Sequence, residues 1–282
     1  MNKLTFVSTL ALFALALTAP VQAETVNCTA ITSLPYTISA PGAYCLTGHL
    51  STSVPAGPII TIDTDKVVLD LNGFSIDGSG AGLRTFATGI YVTSRKNITI
   101  KNGTLRGFFT GIHLTASDPI RTAQGGNVIE DMRVEQSTVT GMYILGGHNI
   151  IRNNQVVATG GAPFPATIAG IYARGNSLRV LNNDVIDVAS REERLTYGIH
   201  LNYAPYSMVA GNRVSNITVP SWQAYGIHLN DTKGTLVSDN RVSGATVGIS
   251  FVSSLDGEYM NNMTHDIEIG YSGGKAAGTT NY

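Results

Sequence analysis

The sequence has 282 residues, with 18 Lys and Arg against 19 Asp and Glu, so its formal net charge is −1. This near balance gives no sign of a nucleic-acid partner or of an anionic membrane surface. Only 13% of the residues are charged, whereas 31 are Gly and many are Asn or Thr, and this composition favours strands and turns over long helices.

The first predicted element is an export signal over residues 1–23. Lys3 gives a positive start, residues 10–17 are apolar, and the segment ends on the small residue Ala23, which suits cleavage. The apolar run is shorter than the roughly 18 residues that a membrane-spanning helix needs, and no later stretch approaches that length. We therefore expect an exported protein, secreted or periplasmic, without a membrane span.

Cys28 and Cys45, the only cysteines, follow in residues 24–57. In an exported chain, two cysteines predict one disulfide, with two free thiols as the alternative. Their spacing is not the CxxC of a metal or redox site, so we expect neither role.

Residues 58–264 are built from a repeat. A motif of Gly followed by Ile or Met begins at residues 89, 111, 141, 170, 198, 226 and 248, and the hexapeptide YGIHLN occurs at 197–202 and again at 225–230. Successive motifs lie 22–30 residues apart, and a period of this size indicates a stacked repeat architecture. A second motif, Asn preceded by Asn, Gly or Asp and followed two residues later by Val, appears at 153–156, 182–185, 211–214 and 239–242.

Each repeat thus contains short alternating segments separated by Asn, Gly or Asp, the pattern of strand–turn–strand units. None has a helical stripe that could cover a parallel sheet, so the strands must bury one another by coiling, with about 4.8 Å per coil. Alternation directs the Ile of each start inward and the next residue outward. We expect the Asn pairs at tight bends, in left-handed conformation, with side chains hydrogen-bonded from coil to coil.

With these motifs, the sequence resembles the right-handed parallel β-helix repeat proteins of the pectate-lyase-like superfamily over about residues 58–264. The resemblance implies an all-β fold, a single-stranded right-handed parallel β-helix of about eight coils. Residues 24–57 look like the N-terminal cap that such proteins place over the first coil, where an open end would be an unpaired sheet edge. Residues 265–282 are then a C-terminal cap and flexible tail.

The outward positions form a biased surface. The first outward column of the repeat starts consists of Thr61, Tyr91, His113, Tyr143, Tyr172, His200, His228 and Ser250, and the column two residues further includes Arg174, Asn202 and Asn230. Rings with polar edges suit binding of sugars. The alternative is that stacked rings only stabilise neighbouring coils.

Long connections precede Gly170, Gly198 and Gly226, on three consecutive coils, and Trp222 lies in the third. Long loops on a rigid scaffold are a usual place for a site. We expect these loops to form a wall beside the outward column, with residues 115–126 on its opposite side. The floor of the resulting groove, containing Tyr172, His200 and His228, is expected to be open to solvent.

Many members of the superfamily cleave or epimerise acidic polysaccharides, chemistry that needs a base and a positive group beside a carboxylate. By this resemblance His200 or His228 is the candidate base, Tyr172 or Tyr143 the acid and Arg174 the carboxylate clamp. The candidate binding residues are Tyr143, His113, Asn202, Asn230, Asp231 and Trp222. No lyase or epimerase signature is present, however, and the column has no lysine, so the sequence leaves catalysis open.

The partner that we expect is a polysaccharide, bound by a monomer. A metal site at His200 and His228 would need a third ligand from Asp231 or a loop, so we expect no metal and no other cofactor. The alternative function is that of a non-catalytic surface or adhesion protein in which the repeat itself is the function.

Overall fold

The structure, a computed structural model, describes residues 27–117, 125–220 and 223–278. The predicted export signal lies outside these residues. Within them the regular structure is β, apart from one 3₁₀ turn at Ser79–Ala81. No helix in this part of the chain is long and apolar enough to cross a membrane.

The chain forms 26 short strands. The first nine are β1 (Thr29–Ile31), β2 (Tyr36–Ile38), β3 (Gly42–Leu46), β4 (Leu50–Ser51), β5 (Ala56–Ile62), β6 (Val67–Asp70), β7 (Ser75–Asp77), β8 (Phe86–Thr93) and β9 (Ile98–Arg106). The next nine are β10 (Thr110–Thr115), β11 (Val128–Glu135), β12 (Thr140–Leu145), β13 (Ile150–Arg152), β14 (Gln155–Gly160), β15 (Ile168–Arg174), β16 (Arg179–Leu181), β17 (Asp184–Ala189) and β18 (Thr196–Asn202). The last eight are β19 (Met208–Ala210), β20 (Arg213–Thr218), β21 (Ala224–Asn230), β22 (Leu236–Ser238), β23 (Arg241–Val252), β24 (Glu258–Met260), β25 (Met263–Ser272) and β26 (Lys275–Ala276).

These strands pair in parallel, each with its equivalent one coil away, in three ladders. The first ladder contains the repeat starts: β2, β5, β8, β10, β12, β15, β18, β21 and the second halves of β23 and β25. The second ladder runs from β1 to β26 through β13 and β16, and the third from β4 through β14 and β17. The predicted all-β parallel coil is confirmed, and its first ladder has ten strands.

Parallel pairing extends beyond residues 58–264 at both ends. Strands β1–β4 already stack on the following coil, and β25 and β26 carry the stacking to Ala276. The predicted disulfide between Cys28 and Cys45 is present, with Cα atoms 5.8 Å apart. Because β1 follows Cys28 and pairs with β3, which contains Cys45, the bond links the first coil to the second.

The aliphatic residues of the repeat starts form the core, as predicted. Ile171, Ile199 and Ile227 have no exposed surface and are paired in register, one coil apart. Removing each such side chain from water contributes about 1.5–3 kcal/mol to stability. The repeated Gly has a separate cause: a Cβ at Gly198 would lie 2.6 Å from the Gly226 carbonyl oxygen and 2.3 Å from a methyl carbon of Val214. Two strands and a corner approach too closely there for any side chain.

The first two residues of the second motif have different structural roles. The first member takes the left-handed conformation, with φ of 56° at Asn153 and 53° at Asn182. The second member is buried, and its side-chain nitrogen donates to the side-chain oxygen of the equivalent residue in the next coil at 2.9–3.0 Å. This asparagine ladder consists of Asn154, Asn183, Asn212, Asn240 and Asn262.

The asparagine ladder generates a prediction for the adjacent pair Asn182 and Asn183. Asn183→Ala removes side-chain bonds to Asn154, Asn212 and the carbonyl of Ile151, leaving buried partners unsatisfied. We expect a loss of about 2–4 kcal/mol in the free energy of unfolding, measured by denaturant titration.

The control is Asn182→Gly, since Asn182 is exposed and glycine accepts its left-handed backbone. This variant should change stability by a few tenths of a kcal/mol, about the cost expected at an exposed position. Equal losses in the two variants would contradict the assigned role of the ladder.

Candidate functional site

The outward residues of the first ladder form a continuous row of rings. Register pairing aligns them coil by coil, and neighbouring ring centroids lie 5.2, 4.9, 4.7, 5.2 and 5.1 Å apart along the row. The members of this aromatic row are Tyr91, His113, Tyr143, Tyr172, His200 and His228. The predicted side-by-side placement of the two histidines is therefore confirmed.

Ring orientation differs along the aromatic row. Tyr143 and Tyr172 are stacked face to face, with 9° between their planes, whereas His113 meets Tyr143 edge-on at 76°. The two stacked tyrosines cover each other's faces, and both are half-buried. They therefore offer their edges and hydroxyl groups, and not their faces, to a molecule outside.

A hydrogen-bonded strip continues from the hydroxyl of Tyr172. Asn202 donates to that hydroxyl at 3.2 Å, and Asn230 donates to the Asn202 side-chain oxygen at 3.2 Å. Asn230 also donates to the carboxylate of Asp231 at 3.0 Å. The structure thus brings together four of the predicted site residues on three consecutive coils: Tyr172, Asn202, Asn230 and Asp231.

Arg174 stands two residues beyond Tyr172 on the same strand. Its guanidinium carbon lies 4.7 Å from the centre of the Tyr203 ring, and its buried Nε has no hydrogen-bond partner. No carboxylate of the described residues forms an ion pair with it. Arg174 is also close enough to Tyr143 to lower the pKa of that phenol, but burial and the neighbouring Tyr172 hold it above its usual range. At neutral pH the guanidinium of Arg174 therefore lies beside the protonated hydroxyl of Tyr143.

The expectation that His200 and His228 form an open floor is wrong. His228 is only 7% exposed, and both nitrogens of His200 and Nδ1 of His228 are shielded from solvent. Tyr197 covers them, with its ring centre 4.2 Å from that of His200 and 5.1 Å from that of His228. Tyr225 packs on His228 at 4.6 Å.

Burial also sets the charge of the two histidines. Burial lowers the pKa of His200 to about 3, with a contribution from the adjacent His228, and lowers that of His228 to about 4. Both rings are therefore neutral near pH 7. Since both nitrogens of His200 and Nδ1 of His228 are shielded, and both rings bind protons weakly, neither histidine is well suited to act as a base in this arrangement.

Tyr197 and Tyr225 are the residues that the sequence analysis missed, although both stand in the repeated hexapeptide. Strict alternation from the inward Ile199 directs Gly198 outward and Tyr197 inward. In the structure, however, Gly198 faces the interior, against Val214, so Tyr197 turns outward beside His200. The sequence feature that could have revealed them is the Tyr before Gly in two consecutive coils. The corner at Gly198 interrupts the alternation, so the side chain of Tyr197 points to the opposite side from the one that alternation predicts.

The long loops begin at the edge of the row. In the first, Phe164 folds back onto earlier coils and packs against Phe86 and Phe109, with ring centres 5.5 and 6.4 Å away. In the second, Arg191 lies beside Gly161 of the first loop. Trp222 and residues 118–124 lie outside the described residues.

In the described part of the chain, no group of three His, Cys, Asp or Glu side chains is placed to hold a metal ion. Asp231, considered as a third ligand beside the histidines, accepts its hydrogen bond from Asn230 instead.

Comparison with known proteins identifies the family. The family model described as "Right handed beta helix region" matches residues 88–264, which is more than half of the chain. The chain belongs to the right-handed β-helix family. No curated protein is significantly similar to this β-helix protein in sequence.

Solved structures share its fold at low sequence identity. The Dettilon tailspike protein (gp208) superimposes with a TM-score of 0.56 and 13% identity over 85% of this chain, which spans 55% of the tailspike chain. DFA-IIIase from Arthrobacter chlorophenolicus A6, in complex with GF2, gives a TM-score of 0.53 and 15% identity over 85% of this chain and 78% of that one. At this identity the likeness of the β-helix protein to either structure concerns the fold.

The buried histidines predict how stability depends on pH. Their folded-state pKa values lie below the unfolded value of 6.5, so unfolding takes up protons at low pH. Stability is therefore full above pH 6.5 and falls toward the folded values near 4 and 3, by at most about 1.4 kcal/mol per pH unit for each histidine.

We expect the double variant His200→Phe, His228→Phe to lose much of this dependence, measured by denaturant unfolding from pH 7 to 4.5. Phe keeps a ring at each position without a titrating group. His148→Gln is the control, because His148 is exposed, and it should follow the natural chain. A double variant with an undiminished acid dependence would show that the two rings do not titrate as described.

Proposed function

We propose that this β-helix protein binds an acidic polysaccharide along the middle of the aromatic row, at Tyr143, Tyr172 and Arg174. The observation that carries the proposal is the unpaired guanidinium of Arg174 beside two half-buried tyrosine hydroxyls. A guanidinium whose nitrogens lack carboxylate partners is suited to bind a carboxylate with two parallel hydrogen bonds.

The polar strip supplies the groups that bind sugar hydroxyls. A tyrosine hydroxyl both donates and accepts, and an asparagine amide offers two donors and one acceptor group. The chain from Tyr172 through Asn202 to Asn230 holds these groups in fixed positions on successive coils. Because equivalent coils repeat at about 4.8 Å, an extended polymer can meet the same kind of group several times.

Two further observations support a ligand surface on an exported protein. The Cys28–Cys45 disulfide is typical of an oxidising compartment, so we propose that the protein is secreted or periplasmic. In addition, the DFA-IIIase structure is a complex with GF2, so a protein of this fold holds a ligand.

The geometry favours binding without turnover. A lyase or epimerase needs a base that reaches a proton next to the carboxylate, and both nitrogens of the candidate base His200 and Nδ1 of the candidate base His228 are shielded from solvent. Their low pKa values also make them weak bases at neutral pH. We therefore propose that these two histidines, with Tyr197 and Tyr225, stabilise the coils while the neighbouring tyrosines and Arg174 bind the ligand.

This proposal is tested with a panel of uronate polymers and their carboxyl-reduced, neutral counterparts. We expect Arg174→Gln to weaken binding of the acidic polymers by about tenfold, which is about 1.4 kcal/mol, and to affect the neutral ones little. Tyr172→Phe, which removes only the hydroxyl, should weaken binding of both sets by a few-fold, about the contribution of one neutral hydrogen bond. Dissociation constants come from titration calorimetry.

Arg213→Gln is the matched control, since Arg213 is exposed on the third ladder and its loss changes the net charge equally. If Arg174→Gln and Arg213→Gln behave alike, the proposed carboxylate site is wrong. An ultraviolet signal from unsaturated sugar, the product of β-elimination, would instead show that the protein is a lyase.

A further inference from the structure

A cleft lies at the corner where the third ladder passes into the first, apart from the aromatic row. Its volume is about 370 Å³, and its lining includes Ser79, Leu83, Gln136, Thr138, Ala158 and Arg191. Small-molecule sites commonly have about 300–1,000 Å³. This corner cleft extends from the 3₁₀ turn before β8 to the loop before β18. Phe86, Phe109 and Phe164 cluster near the start of the first-ladder strands and do not line the cleft.

The floor of the corner cleft belongs to a column of left-handed residues. One residue per coil has positive φ there: 74° at Gly107, 55° at Gln136, 55° at Ala158, 58° at Asp187 and 57° at Asn216. Asp and Asn suit this conformation because their side chains form local hydrogen bonds, whereas alanine does not. On the two coils after the cleft, the column is filled by polar side chains, and Asn216 donates to Asp187 at 2.5 Å.

Ala158 therefore accepts an unfavourable backbone conformation where the next coils use Asp and Asn. Its methyl group leaves open the space that a longer polar side chain would enter. Strained positions of this kind concentrate at ligand sites, where the shape of the site requires them. The corner cleft thus depends on Ala158, a residue whose left-handed backbone conformation is unfavourable for stability.

The polar groups of the corner cleft indicate the ligand. Ser79 and Gln136 bring a hydroxyl and an amide to the lining, while the hydroxyls of Thr138, Ser137 and Thr159 are buried without a hydrogen-bond partner. Leu83 adds an apolar wall that is 49% exposed. Arg191 is the charged residue of the lining, and it forms no ion pair with the described residues.

The carboxylates near the corner cleft either form ion pairs with arginines or lie outside its lining. Glu135, next to Gln136, is held by ion pairs with Arg106 and Arg133. Burial alone would raise the pKa of Glu135, but its hydrogen bonds to these two arginines outweigh burial and lower it. Glu192 and Glu193 follow Arg191 on its loop, are exposed, and do not line the cleft.

We propose that the corner cleft is a second carbohydrate site, which binds a single sugar ring with a carboxylate group. In this site Arg191 binds the carboxylate, the hydroxyl of Ser79 and the amide of Gln136 bind the sugar hydroxyls, and Leu83 covers an apolar face of the ring. An apolar wall with a few convergent polar groups is the usual composition of a small-molecule site. The inference does not depend on the proposed function of the aromatic row, because no residue is shared.

The test uses methyl glucuronoside as the probe and methyl glucoside as its neutral counterpart, with binding followed by ligand-observed NMR. Arg191→Gln should weaken binding of the glucuronoside by at least about tenfold, since it removes a charge-assisted hydrogen-bond donor pair. Arg194→Gln is the matched control: it lies on the same loop, carries the same charge and does not line the cleft. The glucuronoside should bind to this control as it does to the natural chain.

A second variant separates the site from folding. Ala158→Asn introduces a residue that suits the left-handed backbone, so it should keep or raise the melting temperature while it fills the cleft and abolishes glucuronoside binding. Asp187→Ala is its converse and should lower the melting temperature with binding intact. A stable Ala158→Asn variant that binds the probe as the natural chain does would overturn the proposal.

Other outcomes distinguish the two sites. If Arg191→Gln and Arg194→Gln change glucuronoside binding equally, the proposal for the corner cleft is wrong. It is also wrong if the natural chain gives no binding signal with the glucuronoside. If Tyr172→Phe and Arg174→Gln weaken binding of the glucuronoside while Arg191→Gln does not, the cleft proposal fails and the row proposal stands. If polymer binding is insensitive to Arg174 but binding of the glucuronoside depends on Arg191, the opposite holds.

Discussion

Parallel pairing in register, repeated from coil to coil, is the constraint on which the rest of this structure depends. Each strand places its residues directly over their equivalents, about 4.8 Å away, so one choice of residue type is multiplied along the coil. Stacked isoleucines give the core, stacked asparagines give the buried polar ladder, and stacked rings give the aromatic row. The hexapeptide is repeated because its two copies occupy equivalent positions on adjacent coils.

The stacked rings of the aromatic row differ in whether another side chain packs on them. Where Tyr197 and Tyr225 pack on the rings, His228 is buried and both nitrogens of His200 are shielded from solvent. One coil earlier, position 169 is Ala, and its small side chain provides no cover of that kind for Tyr172. The residue before the repeated Gly therefore determines whether a tyrosine packs on the ring beside it.

The fold was readable from the sequence because its determinants are local and periodic. The Gly–Ile starts, the Asn pairs and the absence of helical stripes already specify a coil, and the two cysteines specify its disulfide. The direction of Tyr197 was not readable, because it depends on the corner at Gly198, where alternation breaks. The corner cleft was hidden for a similar reason: Ala158 stands out only when its left-handed backbone is seen beside Asp187 and Asn216.

We propose that the aromatic row is divided into an end where Tyr197 and Tyr225 pack on the two histidines and a tyrosine part that binds the acidic ligand. A crystal structure of the protein with an acidic oligosaccharide tests this division most directly. The account predicts a sugar carboxylate on Arg174 with hydroxyls bonded to Tyr143 and Tyr172, and the rings of Tyr197 and Tyr225 still covering the histidines. A sugar bound to the nitrogens of His200 or His228, with those two tyrosines displaced, would contradict it.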